Sequence, residues 1–174
     1  HRRQLCMMRT STCGSLKASD IGKKVTLCGW VHTRRDHGNL IFVDLRDRWG
    51  LVQIVFNPEK GAGLHTQAEK LRSEFVIRIQ GEVRHRPQGT ENPKIPTGEV
   101  EVLAAELEIL NESPTPPFEI AGDKDVSEEI RLKYRFLDLR RLEMQENLKF
   151  RYELTQIVRQ YLHTLDFIEV ETPY

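Results

Sequence analysis

The chain has 174 residues, room for one domain and part of another. Lys plus Arg and Asp plus Glu each number 26, so the formal net charge is zero. That excludes a bulk polycation coating nucleic acid, while leaving room for a locally basic groove. With 39% apolar and 30% charged residues the composition is that of a globular chain, and no apolar run approaches the ~20 residues that span a bilayer.

Cys6, Cys13 and Cys28 form no CxxC pair and leave one thiol over. This fits a reduced compartment without structural zinc. The six histidines show no HxxxH spacing, so no metal site is expected. Residues 1–7, HRRQLCM, lack an apolar core and read as a leader, extension or tag remnant rather than a secretory signal. Met8-Arg9-Thr10 reads as a natural start.

Residues 23–34 alternate Val25, Leu27, Gly29 and Val31 against Thr26, Cys28, Trp30 and His32, a strand with one packed face. His37-Gly38-Asn39 and Arg48-Trp49-Gly50 are turn signals. Between them, Ile41, Val43 and Leu45 point one way, and Leu40, Phe42, Asp44 and Arg46 the other. In residues 51–57, Val52, Ile54 and Phe56 share the apolar side and Gln53 lies opposite. Phe42, Gln53, Arg34 and Arg35 are therefore expected on one accessible polar face. An aromatic beside amides and guanidiniums suits stacking and reading an unpaired base. The same spacing fits a half-exposed Phe on a solvated sheet, and the residues alone leave both readings open.

A helix is expected over 62–73, with Gly61-Ala62-Gly63 as its entry turn rather than a phosphate loop. A fourth strand covers 75–84, a Pro- and Gly-rich loop follows, and a fifth strand runs from Val100 toward Leu110, with Glu99 and Glu101 opposite its apolar face. Three strands, a helix and two strands is the order of a mainly β, five-stranded OB-fold Greek-key barrel with one inserted helix. Ser113-Pro114-Thr115-Pro116-Pro117 is a stiff connector. The organisation expected is thus a barrel domain over 8–112, a proline-rich hinge over 113–126, and the start of a second domain over 127–174. In that second part Ser127 caps a helix entry. From Phe150 onward Leu154, Ile157, Val158, Tyr161, Leu162 and Leu165 form one apolar helical stripe. Phe167, Ile168 and Val170 are expected to open a strand, and the stripe needs a partner from outside these residues.

Four blocks, LCGWVHTRRDHGNLIFVDLRDRWGLVQIV, RPQGTENPKIPTGEVEV, EEIRLKYRFLDLRR and FIEVETP, in this order and spacing, resemble the bacterial or organellar type of aspartyl-tRNA synthetase. The resemblance covers nearly all of Met8 to Tyr174. It implies an anticodon-binding OB domain, a hinge, and the opening helix and strand of a class II α/β catalytic domain that is cut short. Pro173 holds the place of the proline in the first class-defining motif, at the dimer interface of such enzymes. The second and third motifs, which hold ATP and the aminoacyl-adenylate, would lie beyond Tyr174. The implied parent is an aspartate–tRNA ligase using ATP and Mg. This chain alone is expected to carry no catalytic residue, metal or cofactor and to charge no tRNA.

The resemblance also implies site residues. Phe42 matches the aromatic on which the central anticodon uracil stacks, and Gln53 the amide that contacts anticodon edges from the next strand. Arg35 matches the arginine near the central and third bases, and Glu101 the acid associated with the first base, a guanine. His37 and Gly89 match loop positions that in relaxed members accompany charging of tRNA-Asn as well as tRNA-Asp, two tRNAs that differ at the third anticodon base, C against U. Both also suit ordinary turns. Arg84 and Arg86 could track phosphates or simply end a solvated strand. Arg131, Lys133, Arg135, Arg140 and Arg141 are expected to pair with Glu128, Glu129, Asp138 and Glu143. Trp30 reads as a rim packing residue and His163 as exposed. The implied setting is the bacterial cytoplasm or an organelle, without membrane contact, and the implied parent is a homodimer. Two alternatives remain: a free-standing OB module binding RNA or single-stranded DNA without catalysis, and an asparagine or lysine enzyme of the same architecture. The reading frame after Tyr174 separates the first from the synthetase.

Overall fold

The computed structural model describes residues 8–121 and 125–173. It divides into two compact units, His1–Pro117 and Phe118–Tyr174.

The first unit is a closed five-stranded barrel, an OB fold. Its strands are β1 (Lys24–His37), β2 (Leu40–Asp47), β3 (Gly50–Phe56), β4 (Val76–His85) and β5 (Val100–Asn111), with helix α1 (Ala62–Glu69) between β3 and β4. The order around the barrel is β1-β2-β3-β5-β4, and β4 closes onto β1. Only β3 and β5 run parallel; the other pairings are antiparallel. Alternation fills the interior with Val25, Leu27, Val31, Ile41, Val43, Leu45, Val52, Ile54, Phe56, Ile77, Ile79, Val83, Val100 and Val102, all buried. Ala68 and Leu71 join that core from α1 and the turn after it.

Two local devices shape the site. The turn joining β1 to β2 places Gly38 at φ 60, where a side chain is strained. The second is a bulge in β1. Val31 pairs with Leu45 and Thr33 with Asp44, so His32 is an extra residue and the inward–outward alternation flips after it. Thr33 and Arg35 therefore face out, while Arg34 turns away. Arg34 Nη1 donates to the carbonyls of Glu69 (2.8 Å) and Leu71 (3.5 Å), satisfying acceptors that the end of α1 leaves unpaired. The expectation that Arg34 shares the polar face with Arg35 is corrected by this bulge.

The segment before β1 is pinned across the outside. Thr10 pairs with Thr26 through its backbone N–H (2.9 Å), and the Thr26 N–H donates to Thr10 Oγ1 (2.9 Å). The Asp47 carboxylate accepts from the backbone N–H groups of Cys13 (2.7 Å), Trp49 (2.8 Å) and Gly50 (3.1 Å), fixing the β2–β3 turn. Gly14 is required there, because a Cβ would lie 2.0 Å from the Trp49 carbonyl oxygen.

In the second unit, α2 (Glu128–Lys133), α3 (Arg135–Asp138) and α4 (Leu142–Thr164) follow one another. Ser127 stands at the N-cap of α2, but its hydroxyl makes no capping bond. Helix α4 begins well before Phe150, the start of the stripe read from the sequence. Asp138 is fully buried and takes Arg131 Nε (3.0 Å), Arg135 Nη1 (2.6 Å) and Arg141 Nη1 (3.7 Å), so the expected charge pairing centres on this one carboxylate. Leu154, Ile157, Val158, Tyr161, Leu162 and Leu165 are all exposed. The strand expected at Phe167, Ile168 and Val170 is not formed: those residues make no ladder with any described residue. A strand exists only when a neighbour takes its backbone N–H and C=O groups, and the described residues of this unit supply none. Instead Glu169 folds onto Arg159 (2.8 Å).

Candidate nucleic-acid interface

Pairing register carries the site. Thr33 lies opposite Asp44, Asp44 opposite Gln53, Gln53 opposite Glu101, and Glu101 opposite Arg84. One polar row thus crosses all five strands on the outer face, back to back with core valines and Ile54. Beside it, Arg35 lies directly opposite Phe42.

The row is bonded end to end. Thr33 Oγ1 donates to Asp44 Oδ2 (2.5 Å). Arg35 Nη2 reaches both Asp44 oxygens (2.9 Å each) and, more weakly, Gln53 Oε1 (3.4 Å). Gln53 Nε2 donates to Glu101 Oε2 and Arg84 Nε to Glu101 Oε1, each at 2.8 Å. Gln53 is 6% exposed and Glu101 0%. The expectation of an accessible Gln53 is therefore corrected. It lies on the expected face, but it is buried there, bonded to Glu101 of β5 and more weakly to Arg35 of β1. The two side chains share one bond, which leaves the second Nε2 hydrogen of Gln53 and further carboxylate lone pairs of Glu101 for a base.

Phe42 is half-buried, with Val55 beside it in the register. The His37 ring meets Phe42 edge-on, centroids 6.2 Å apart and planes at 74°. Gly89 sits at φ 84 in the β4–β5 loop, and its N–H donates to Glu91 Oε2 (2.8 Å). The turn alone thus accounts for glycine at that position.

The pair Arg84 and Arg86 divides. Arg84 is spent on Glu101. Arg86 is 7% exposed, donates from Nε to the Val100 carbonyl (3.2 Å) and from Nη1 to Thr90 O (3.5 Å), and leaves Nη2 without a partner among the described residues. Burial pulls its guanidinium below its ordinary value, while Asp44 and Glu101 pull the other way. Sequence reading missed this burial, and it missed Asp44 as the hub of Thr33 and Arg35. The period-two alternation had placed Asp44 on the polar face, which was the available signal.

One step along β1 and β2, Arg46 holds Glu74 with two bonds of 2.8 Å and donates from Nη1 to His32 Nδ1 (2.8 Å). Glu74 is 4% exposed at φ 65. Trp30 lies opposite Arg46 on this outer face, with the Arg46 guanidinium 6.0 Å from its ring centre.

Three guanidiniums, two carboxylates, an amide and a half-exposed aromatic on one barrel face define a nucleic-acid-binding OB domain. Residues 25–110 match the family model for an OB-fold nucleic acid binding domain, and residues 127–174 match that of class II tRNA synthetases (D, K and N). The chain is 56% identical over 165 residues to an aspartate–tRNA(Asp/Asn) ligase of Rubrobacter xylanophilus and 55% identical over 165 residues to one of Moorella thermoacetica. In each case the match covers 95% of this chain and 27% of the relative. It is also similar to the crystal structure of asparaginyl-tRNA synthetase from Pyrococcus horikoshii, with a TM-score of 0.82 and 30% identity, over 96% of this chain and 38% of that one. The two domain types in this order are those of a class II aminoacyl-tRNA synthetase. Within that class, the chain belongs to the aspartyl-tRNA synthetase family, and it spans about a quarter of the length of the curated relatives it matches.

Proposed function

We propose that this chain recognises the anticodon of tRNA-Asp, and of tRNA-Asn, as part of an aspartate–tRNA ligase. The observation that carries the reading is the register that sets Phe42 beside Arg35 and one row from Gln53 and Glu101. In this reading a base stacks on Phe42, Arg35 and Gln53 meet its edge, and Glu101 accepts from the paired N–H groups of a guanine at the first anticodon position. Arg86, with a spare buried N–H group, adds a donor for a base or phosphate oxygen. His37 and Gly89 tune the third position. The hinge is residues 113–126, and Pro173 belongs to a homodimer interface of the whole protein.

ATP and Mg would serve the whole protein in activating aspartate. Among the described residues no group of three or more His, Cys, Asp or Glu is placed to hold a metal ion, so no step of that chemistry is assigned to these residues. Likewise no helix among them is long and apolar enough to cross a membrane. A cytoplasmic or organellar setting follows from the family reading. A free-standing OB module is disfavoured by the class II match after residue 127.

The test is binding of a labelled anticodon hairpin to the 174-residue chain, against a hairpin with the same stem and a changed loop. The expected result is tighter binding of the matched loop and affinity that falls with added salt, as phosphate contacts require. Equal affinity for both loops would remove anticodon reading.

A further inference from the structure

Asp44 sits behind Arg35 and opposite Gln53 in the register. It is the less exposed partner, with 23% of its side chain accessible against 50% for Arg35. It takes one Arg35 nitrogen on both of its oxygens, and the Thr33 hydroxyl holds it from the other side. Among the described residues, Arg35 Nε and Nη1 have no partner, so the guanidinium is gripped at one corner with its remaining N–H groups unspent. Arg35 is also the cross-strand neighbour of Phe42, so those N–H groups lie beside whatever stacks on that ring.

We infer that Asp44 is a positioning residue for anticodon reading: with Thr33 it aims the free edge of Arg35 at the base stacked on Phe42. The inference rests on the anticodon reading proposed above. A carboxylate here is otherwise hard to reconcile with an RNA face, because its charge repels phosphate. The two effects have opposite signs. Through charge alone, removing Asp44 strengthens RNA binding. Through positioning, it frees Arg35 to wander and weakens binding where Arg35 reads.

The experiment compares Asp44→Asn with wild type on hairpins bearing the matched anticodon and on hairpins with the central base changed. Asn keeps the shape and can still accept from Thr33. The expected result is about tenfold weaker binding of the matched hairpin, the scale of losing a charge-assisted bond, with little change for the altered one. The Arg35→Gln, Asp44→Asn double variant should lose no more than Arg35→Gln alone. Equal or tighter binding by Asp44→Asn, the same loss for every hairpin, or additive losses would overturn the inference. If Asp44→Asn fails to fold, Thr33→Val serves: it leaves the Arg35–Asp44 pair charged and removes only the second hold on the carboxylate. A smaller loss confined to the matched hairpin is then expected, and no loss overturns the inference. A wild-type chain without preference for the matched hairpin would overturn the anticodon reading itself.

Discussion

The His37 and Phe42 rings meet edge to face with centroids 6.2 Å apart, so the end of β1 and the proposed stacking aromatic are in one contact. A change at residue 37 therefore reaches the proposed base platform directly. Gly89 differs, since its φ of 84 makes any side chain there a change of loop geometry as well.

His37→Leu is the clean test of relaxed specificity. In the full-length protein it should raise discrimination between matched tRNA-Asp and tRNA-Asn transcripts, which differ by a contact worth only ~1–3 kcal/mol. Steady-state charging of both transcripts measures it. Wild-type discrimination of a hundredfold or more, or no gain in the variant, would sink the relaxed reading.

Glu101→Gln should act twice. The acid is fully buried between Gln53 and Arg84, so the amide loses a charge-assisted bond and the fold should soften by about 1–3 kcal/mol. Arg84 is exposed enough to turn to water, which keeps the cost moderate. Affinity per folded molecule should fall for guanine at the first anticodon position and much less for other bases. Urea melts give the first quantity and hairpin titrations the second. Equal losses for every base would leave Glu101 a structural acid only.

His32 makes stability depend on pH. Arg46 can only donate, so His32 Nδ1 accepts and the imidazole is neutral. Burial, then the Arg46 charge, lower its pKa from the ordinary 6.5, with Asp44 and Glu74 opposing. A folded pKa below the unfolded one means the unfolded chain takes the proton first. The His32 contribution is therefore complete above pH 6.5 and is lost as pH falls through the folded value. Melts from pH 7.5 down to 5 should show this loss, and His32→Gln, whose amide oxygen can still accept from Arg46, should flatten it. An unchanged slope in the variant would place the titration elsewhere.

The 174-residue chain is expected to charge no tRNA, because it spans only 27% of each aspartate–tRNA ligase it resembles. Incubation with ATP, labelled aspartate and tRNA tests this directly. Enzyme-dependent charging above background would mean that an active site has been missed.

Local patterns made much of this legible. Alternation along β2 put Phe42 and Asp44 outside and Val43 inside, because side-chain direction depends only on the strand's own pleat. What escaped depends on partners far away in sequence. The bulge at His32 sends Arg34 to the end of α1, and no spacing in the polar run HTRRD announces it. Gln53 and Glu101 meet only because β3 pairs with β5, which joins residues far apart in the chain. The strand expected after α4 had the right residues, Phe167, Ile168 and Val170, and nothing to pair with among the described residues.

The central claim is that Phe42 is a base platform rather than a packing residue, and Phe42→Ala tests it most directly. Its side chain faces away from the barrel core, so the melting temperature of the 174-residue chain should hold. Affinity for the matched anticodon hairpin should fall by roughly 1–3 kcal/mol, the scale of losing one stacked base. A collapse in melting temperature with unchanged affinity per folded molecule would contradict the account.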